Sequence, residues 1–161
     1  MKMRLILSAV LSCLALGAAC AEDGAAGSSA SPPAAYSPDL AELMVGAQLR
    51  HFKLAFAGRL QNWDLAEYEV VQLRKNFADA AHYFPNFQNV PVAKLIREYS
   101  EPALDDVSKS LKAKDSRGFQ QAFNRLTEAC NSCHQAAGMS FIKVRVPTAS
   151  PFSNQVYKPD R

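Results

Sequence analysis

The sequence predicts an all-α protein, an antiparallel up-down-up-down four-helix bundle with an extended C-terminal tail, on three observations. Apolar residues recur at spacings of three and four through four successive segments, the connections between them are short, and no stretch reads as strand-rich or repeats internally. The first helix begins at Ser37-Pro38-Asp39, read as a cap with proline at the first helical position, and runs through Leu40, Met44, Ala47 and Leu54 to about Gly58. Asn62 caps a second helix from Trp63, striped by Ala66, Val70, Leu73, Phe77, Ala80 and Phe84 and ended by Pro85. A third, from about Pro91 to Lys114, carries Val92, Leu95, Tyr99, Ala103, Val107 and Leu111, and Pro102 inside it predicts a kink or break near Ser100. The fourth starts behind Asp115 or Ser116. Its seam is Phe119, Phe123, Leu126, Cys130, Cys133 and Ala137, with Gly138 as a left-handed stop.

Around this bundle, assigned to residues 38–138, the chain divides into three further parts. Residues 1–21 read as a secretory signal: Lys2 and Arg4 give the positive start, Leu5 to Leu16 the apolar stretch and Ala19-Cys20-Ala21 a small-x-small cleavage site. The apolar stretch is too short for a comfortable membrane span of about 20 residues, and no other stretch would cross a bilayer. Lipid modification at Cys20 is the rival processing event, and Gly17-Ala18-Ala19 matches its usual leucine-led box poorly. Residues 22–37, rich in Ala, Gly, Ser and Pro, read as a flexible linker. Residues 139–161 form the tail, in which Ser140 to Val146 alternates apolar and basic side chains and Pro147 to Pro159 holds three prolines with Phe152 and Tyr157. It either wraps back over the bundle or stays loosely ordered.

Export fixes what the charges and cysteines can mean. The formal charge of +3 loses Lys2 and Arg4 with the signal and falls to +1, which leaves no strong field for nucleic acid or anionic lipid. Cys13 leaves as well, and Cys20 with it on cleavage after Ala21, so Cys130 and Cys133 are the thiols that remain for chemistry.

Those two belong to the run Cys130-Asn131-Ser132-Cys133-His134. Thiols three apart share one helical face, each can form a thioether to one haem vinyl group, and the adjacent imidazole can bind the iron. A structural zinc site wants four ligands, and beyond the run the chain offers only His51 and His82, singly. A thioredoxin-like pair sits at the start of a helix, whereas this one falls late in a helical pattern. A disulfide across three residues closes a tiny loop and restrains little. Haem c, one per chain and covalently bound, is the reading that uses all three side chains.

A C-terminal haem-attachment run on the fourth helix of an exported bundle resembles the class II, or cytochrome c prime, type of c-type cytochrome. The resemblance covers residues 38–138, and its specific part is the five-residue run and its position. It implies Cys130 and Cys133 as thioether residues and His134 as proximal ligand, and it admits a homodimer. The chain departs from the type after the histidine: Gln135-Ala136-Ala137 stand where many members place a basic residue, and the first cation is Lys143.

The other iron face decides between functions. At 1.5 Å per residue Met44 lies about 8 Å into the first helix and His134 about 5 Å from the end of the fourth, so an antiparallel bundle brings them to one level. His51 shares the face of Met44 but lies about 10 Å deeper. Met44 is therefore the expected second ligand and His51 the second candidate, against readings as plain core and as a hydrogen-bonded edge group or propionate partner. His82 is expected to face solvent, and Met139 is placed too close in sequence to His134 to reach the opposite face. Arg50 and Lys53 read as propionate partners or a solvated face, and Phe52, Phe56 and Trp63 as bundle filling or haem lining. The expectation is a periplasmic monohaem cytochrome, no enzyme, carrying single electrons to a redox partner protein. The alternative is a five-coordinate haem protein that binds or senses nitric oxide or carbon monoxide. A third reading is a haem subunit that docks through its tail on a larger redox enzyme.

Overall fold

Short polar side chains decide where three of the four helices begin. A computed structural model describes residues 36–159; the expected signal, 1–21, and the expected linker up to residue 35 lie outside the described residues. α1 (Leu40–Arg59) starts where the Asp39 carboxylate accepts from the Ala41 N–H at 3.0 Å. α2 (Trp63–Tyr83) starts where Asn62 accepts from the Leu65 N–H at 3.2 Å, and α4 (Ser116–Ala136) where Asp115 accepts from the Arg117 N–H at 3.1 Å. Each cap satisfies an amide that has no partner inside its helix. The cap of α1 is thus Asp39, not Ser37, and Pro38 precedes it, because the carboxylate stands directly before the first turn.

α3, 92–112, lies between them and is not uniform. It runs as α-helix over Val92–Leu95, opens into a π-helical turn over Ile96–Ser100, and closes again to α-helix over Glu101–Lys112. Pro102 is the cause: it has no N–H to donate to the carbonyl four residues back, and the Glu101 N–H bonds instead to the Ile96 carbonyl. The expected break is therefore a widened turn. The extra residue advances the helix face by one position, so Ile96 and Ser100 are buried where a regular helix would bury Tyr99. The loop before α3 is a tight reversal in which Phe87 and Val90 exchange both backbone hydrogen bonds, at 2.9 and 2.8 Å, around Gln88 and Asn89, both with positive φ.

α1 lies along α2, α2 against α3, α3 against α4 and α4 against α1. The four helices form a bundle, with no strand among the described residues and one isolated bridge in the loop before α3. Leu54, Ala57, Ala66, Leu104, Val107, Leu111, Phe119 and Leu126 form its close-packed part. Small residues let α1 approach its neighbours, and Gly58 does so most closely: a Cβ there would land on the Phe119 ring of α4. Among the described residues no helix is long and apolar enough to cross a membrane.

Beyond Ala136 the chain has no regular element up to Pro159, yet it is held. Arg59 Nη2 donates to the Pro147 carbonyl at 2.7 Å, Phe152 meets the Phe52 ring edge-on at 5.5 Å, and buried Tyr157 lies 5.4 Å from the Phe56 ring. Phe52 and Phe56 thus receive the tail. Phe141 is 80% exposed and does not pack down.

Gly58→Ala is expected to cost about 1–3 kcal/mol, since Phe119 is walled in and cannot retreat without strain. Urea unfolding should show a lower midpoint at unchanged slope; an unaltered midpoint would mean the α1–α4 contact is looser than the geometry indicates.

Candidate functional site

The first half of α1 and the last turns of α4 do not close on each other. Between them, with α2, α3 and the start of the tail, lies a cavity of about 510 Å³. Its walls include Met44, Ala47 and His51 from α1, Leu73 and Phe77 from α2, Leu95, Ile96 and Ser100 from α3, and Cys130, Cys133 and His134 from α4. All five residues expected from sequence to bind the cofactor therefore border one space. A second, more open cleft of about 320 Å³ beside Arg59, Phe119 and Val146 holds none of them.

Cys130 and Cys133, three apart on α4, are half-buried free thiols on the cavity wall. Burial, with a smaller contribution from Cys133, pushes the Cys130 thiol up to about 12, and burial also raises Cys133. Thiols held in the neutral form are the reverse of the low-pKa nucleophile a dithiol oxidoreductase needs. A helix start would have lowered them; this pair sits in the last turns.

His134 carries the most specific geometry. Its Nδ1 lies 2.8 Å from the Ile142 carbonyl oxygen. A carbonyl only accepts, so Nδ1 bears a proton, and in the neutral ring that tautomer leaves the lone pair on Nε2. Metal-binding histidines are oriented in this way by a partner on the far ring nitrogen. The cavity, the paired thiols and this tautomer together fit a flat, largely apolar macrocycle that carries a metal.

His51 is buried at 3% exposure and stacks 4.5 Å from the Phe123 ring. Thr127 Oγ1 spends its proton on the Phe123 carbonyl at 3.0 Å, so it accepts from His51 Nε2 at 2.9 Å. Nδ1 is then the only lone pair His51 retains. Burial lowers His51 to about 4, so it is neutral near pH 7. Met44, half-buried on the cavity wall, has no such commitment.

Other sequence expectations separate here. His82 is exposed and lies away from the cavity. Met139 borders it, because the chain doubles back after Gly138. Arg50 pairs at 3.3 Å with Glu69, which is 1% exposed, and so serves the bundle interior. Phe52, Phe56 and Trp63 are not on the cavity wall. Sequence reasoning missed Asn131, Thr127 and Ser100. For Ser100 the signal was present, since Pro102 announced an irregular turn.

Because folded His51 holds a proton more weakly than the unfolded chain, protonation favours unfolding. Its contribution is complete above about pH 6.5 and is lost as the pH falls toward 4, by about 1.4 kcal/mol per unit and about 3 kcal/mol in all. Urea midpoints between pH 7 and 4.5 should fall with this slope, and His51→Gln should flatten it. An equal slope in the variant would place the acid sensitivity elsewhere.

No protein-family model, curated protein or solved structure matches this chain.

Proposed function

We propose that the protein is a monohaem c-type cytochrome that carries single electrons, with the haem attached through Cys130 and Cys133 and bound axially by His134. The observation that carries the reading is the His134 tautomer beside the paired thiols: a ring nitrogen with a free lone pair, fixed by a backbone carbonyl, on the wall of an apolar cavity. Haem supplies one-electron exchange at its iron.

The remaining work falls to the chain. Cys130 and Cys133 tether the group so that it stays in place through repeated turnover. His134 would bind the iron, with Ile142 keeping its ring from rotating. Met44 would be the second protein ligand; His51, its Nε2 engaged by Thr127, serves as a neutral wall group. Leu73, Phe77, Leu95 and Ile96 exclude water, which raises the potential by burial.

The antiparallel up-down-up-down arrangement belongs to the same reading. It is supported by the short connections and by residues near the start of α1 and the end of α4 bordering one cavity. So does the division into a signal over 1–21, a linker over 22–37, the cytochrome domain over 38–138 and an extended tail, with export to the periplasm, where the attachment machinery acts. Cleavage after Ala21 is favoured over lipidation at Cys20. The partner is a redox protein, and a homodimer is admitted. No cluster in the cavity reads as an acid–base pair for catalysis.

In a denaturing gel, haem should remain with the wild-type chain and be lost from a Cys130→Ala/Cys133→Ala variant. The ferric and ferrous spectra should be low-spin and unmoved by carbon monoxide, whereas Met44→Ala should become high-spin and bind it. A high-spin wild type that takes up carbon monoxide would remove Met44 from the iron and favour the gas-binding reading.

A further inference from the structure

The chain leaves α4 and returns across its last turn. Gly138, with φ 74°, makes the reversal; the Met139 N–H donates to the His134 carbonyl at 2.7 Å and the Ile142 N–H to the Met139 carbonyl at 2.9 Å. The returning segment then meets one side chain that binds it at two points. Asn131 Nδ2 donates to the Val144 carbonyl at 2.9 Å, and Asn131 Oδ1 accepts from the Val144 N–H at 2.8 Å. One carboxamide thus does for Val144 what a neighbouring strand would do, satisfying both of its backbone groups.

The placement matters because of what lies beside it. Asn131 and His134 are three residues apart, neighbours on the surface of a helix. Val144 and Ile142 are separated by Lys143 alone, so fixing the Val144 peptide confines the Ile142 carbonyl to the region of His134 Nδ1, which it meets at 2.8 Å. His134 is only half-buried, and without that carbonyl water would compete for its ring N–H.

We propose that Asn131 is a positioning residue: its carboxamide clasps Val144, thereby holds the Ile142 carbonyl on His134 Nδ1–H, and makes the C-terminal tail the element that sets the donor strength of His134 toward iron. This rests on the cytochrome reading. A fixed acceptor on the far nitrogen raises the basicity of the ligating one. A more basic ligand stabilises the ferric state, so the clasp lowers the reduction potential.

The rest of the tail is anchored independently on α1, through Arg59 to Pro147, Phe52 to Phe152 and Phe56 to Tyr157. Loss of the clasp therefore frees residues near 142–144 without releasing the whole tail, and the two anchors can be tested separately.

Four variants of the haem-loaded protein decide the matter: Asn131→Ala, Asn131→Asp, Val144→Pro and Arg59→Gln. Asn131→Ala removes both bonds, Asn131→Asp keeps an acceptor for the Val144 N–H, and Val144→Pro deletes that N–H without touching the attachment run. Covalent haem yield is read first. Exchange of the Val144 amide should quicken at least tenfold in Asn131→Ala. At fixed solution potential the reduced-to-oxidised ratio should rise about tenfold in Asn131→Ala, a 59 mV shift for one electron. Asn131→Asp and Val144→Pro, each of which keeps one of the two bonds, should lie between, and Arg59→Gln should match wild type.

Full haem yield with unchanged potentials in Asn131→Ala and Val144→Pro would overturn the inference and leave the cytochrome reading intact. An unprotected Val144 amide in the wild type, or an equal shift in Arg59→Gln, would overturn it too. Absence of covalent haem from the wild type would instead overturn the cytochrome reading, and Val144 exchange in that protein would still report on the clasp.

Discussion

One half of this bundle is closed by packing and the other is held apart, and the placement of the reactive side chains follows from that division. Toward the close-packed part the helices meet through Leu54, Ala57, Leu104, Leu111 and Phe119, with Gly58 permitting the ring of Phe119 to lie directly on α1. Toward the other end the walls stand around about 510 Å³. A closed void of that volume would cost on the order of 12 kcal/mol at about 24 cal/mol per Å³, comparable with the whole stability of a domain. Walls this apolar are poorly served by water, which needs several polar partners. Such a cavity is favourable when a broad apolar guest covers its walls, and in the proposed reading the two thiols and the imidazole on its wall would hold that guest.

The helices were legible in the sequence because each depends on neighbours within a few residues. Asp39, Asn62 and Asp115 cap from the positions that local chemistry allows, and the stripe of α2 from Ala66 to Ala80 is buried as its period requires. The face of α3 was misread by one residue, Tyr99 for Ser100, since the period of a regular helix says nothing about the extra residue in a π-turn. The level comparison set His51 deeper along α1 than Met44, and both border the one cavity: rise per residue measures depth along an axis and not the extent of the space beside it. Least legible were the polar pairings. His51 with Thr127, Arg50 with Glu69 and Asn131 with Val144 join residues far apart in the chain, and neither period nor composition encodes them.

The pairings of the two imidazoles share a direction. The Thr127 hydroxyl donates away from His51, to the carbonyl of Phe123, and so turns the His51 ring until its N–H is spent on Thr127. The Ile142 carbonyl spends the N–H of His134 in the same manner. In its neutral form each imidazole on the cavity wall is left with one lone pair and no free donor. Burial favours that form for His51 by disfavouring the protonated ring.

The tail does at the rim what the four helices of the bundle do not. The last carbonyls of α4 are taken up by the chain that leaves it: Cys133 accepts from the Ala137 N–H at 2.9 Å, His134 from the Met139 N–H at 2.7 Å and Gln135 from the Gly138 N–H at 3.0 Å. His134 lies in that final turn, and the carbonyl beside its Nδ1 comes from the tail. Gly138 turns the backbone, the Asn131 carboxamide fixes Val144, and the carbonyl of Ile142 arrives at the ring. The anchors further along, on Phe52, Phe56 and Arg59, hold the tail against α1, so the segment that touches His134 is tied to the bundle on both sides. A histidine oriented by a strap anchored at two places keeps its ring in one position even though it stands at the end of a helix and is only half-buried.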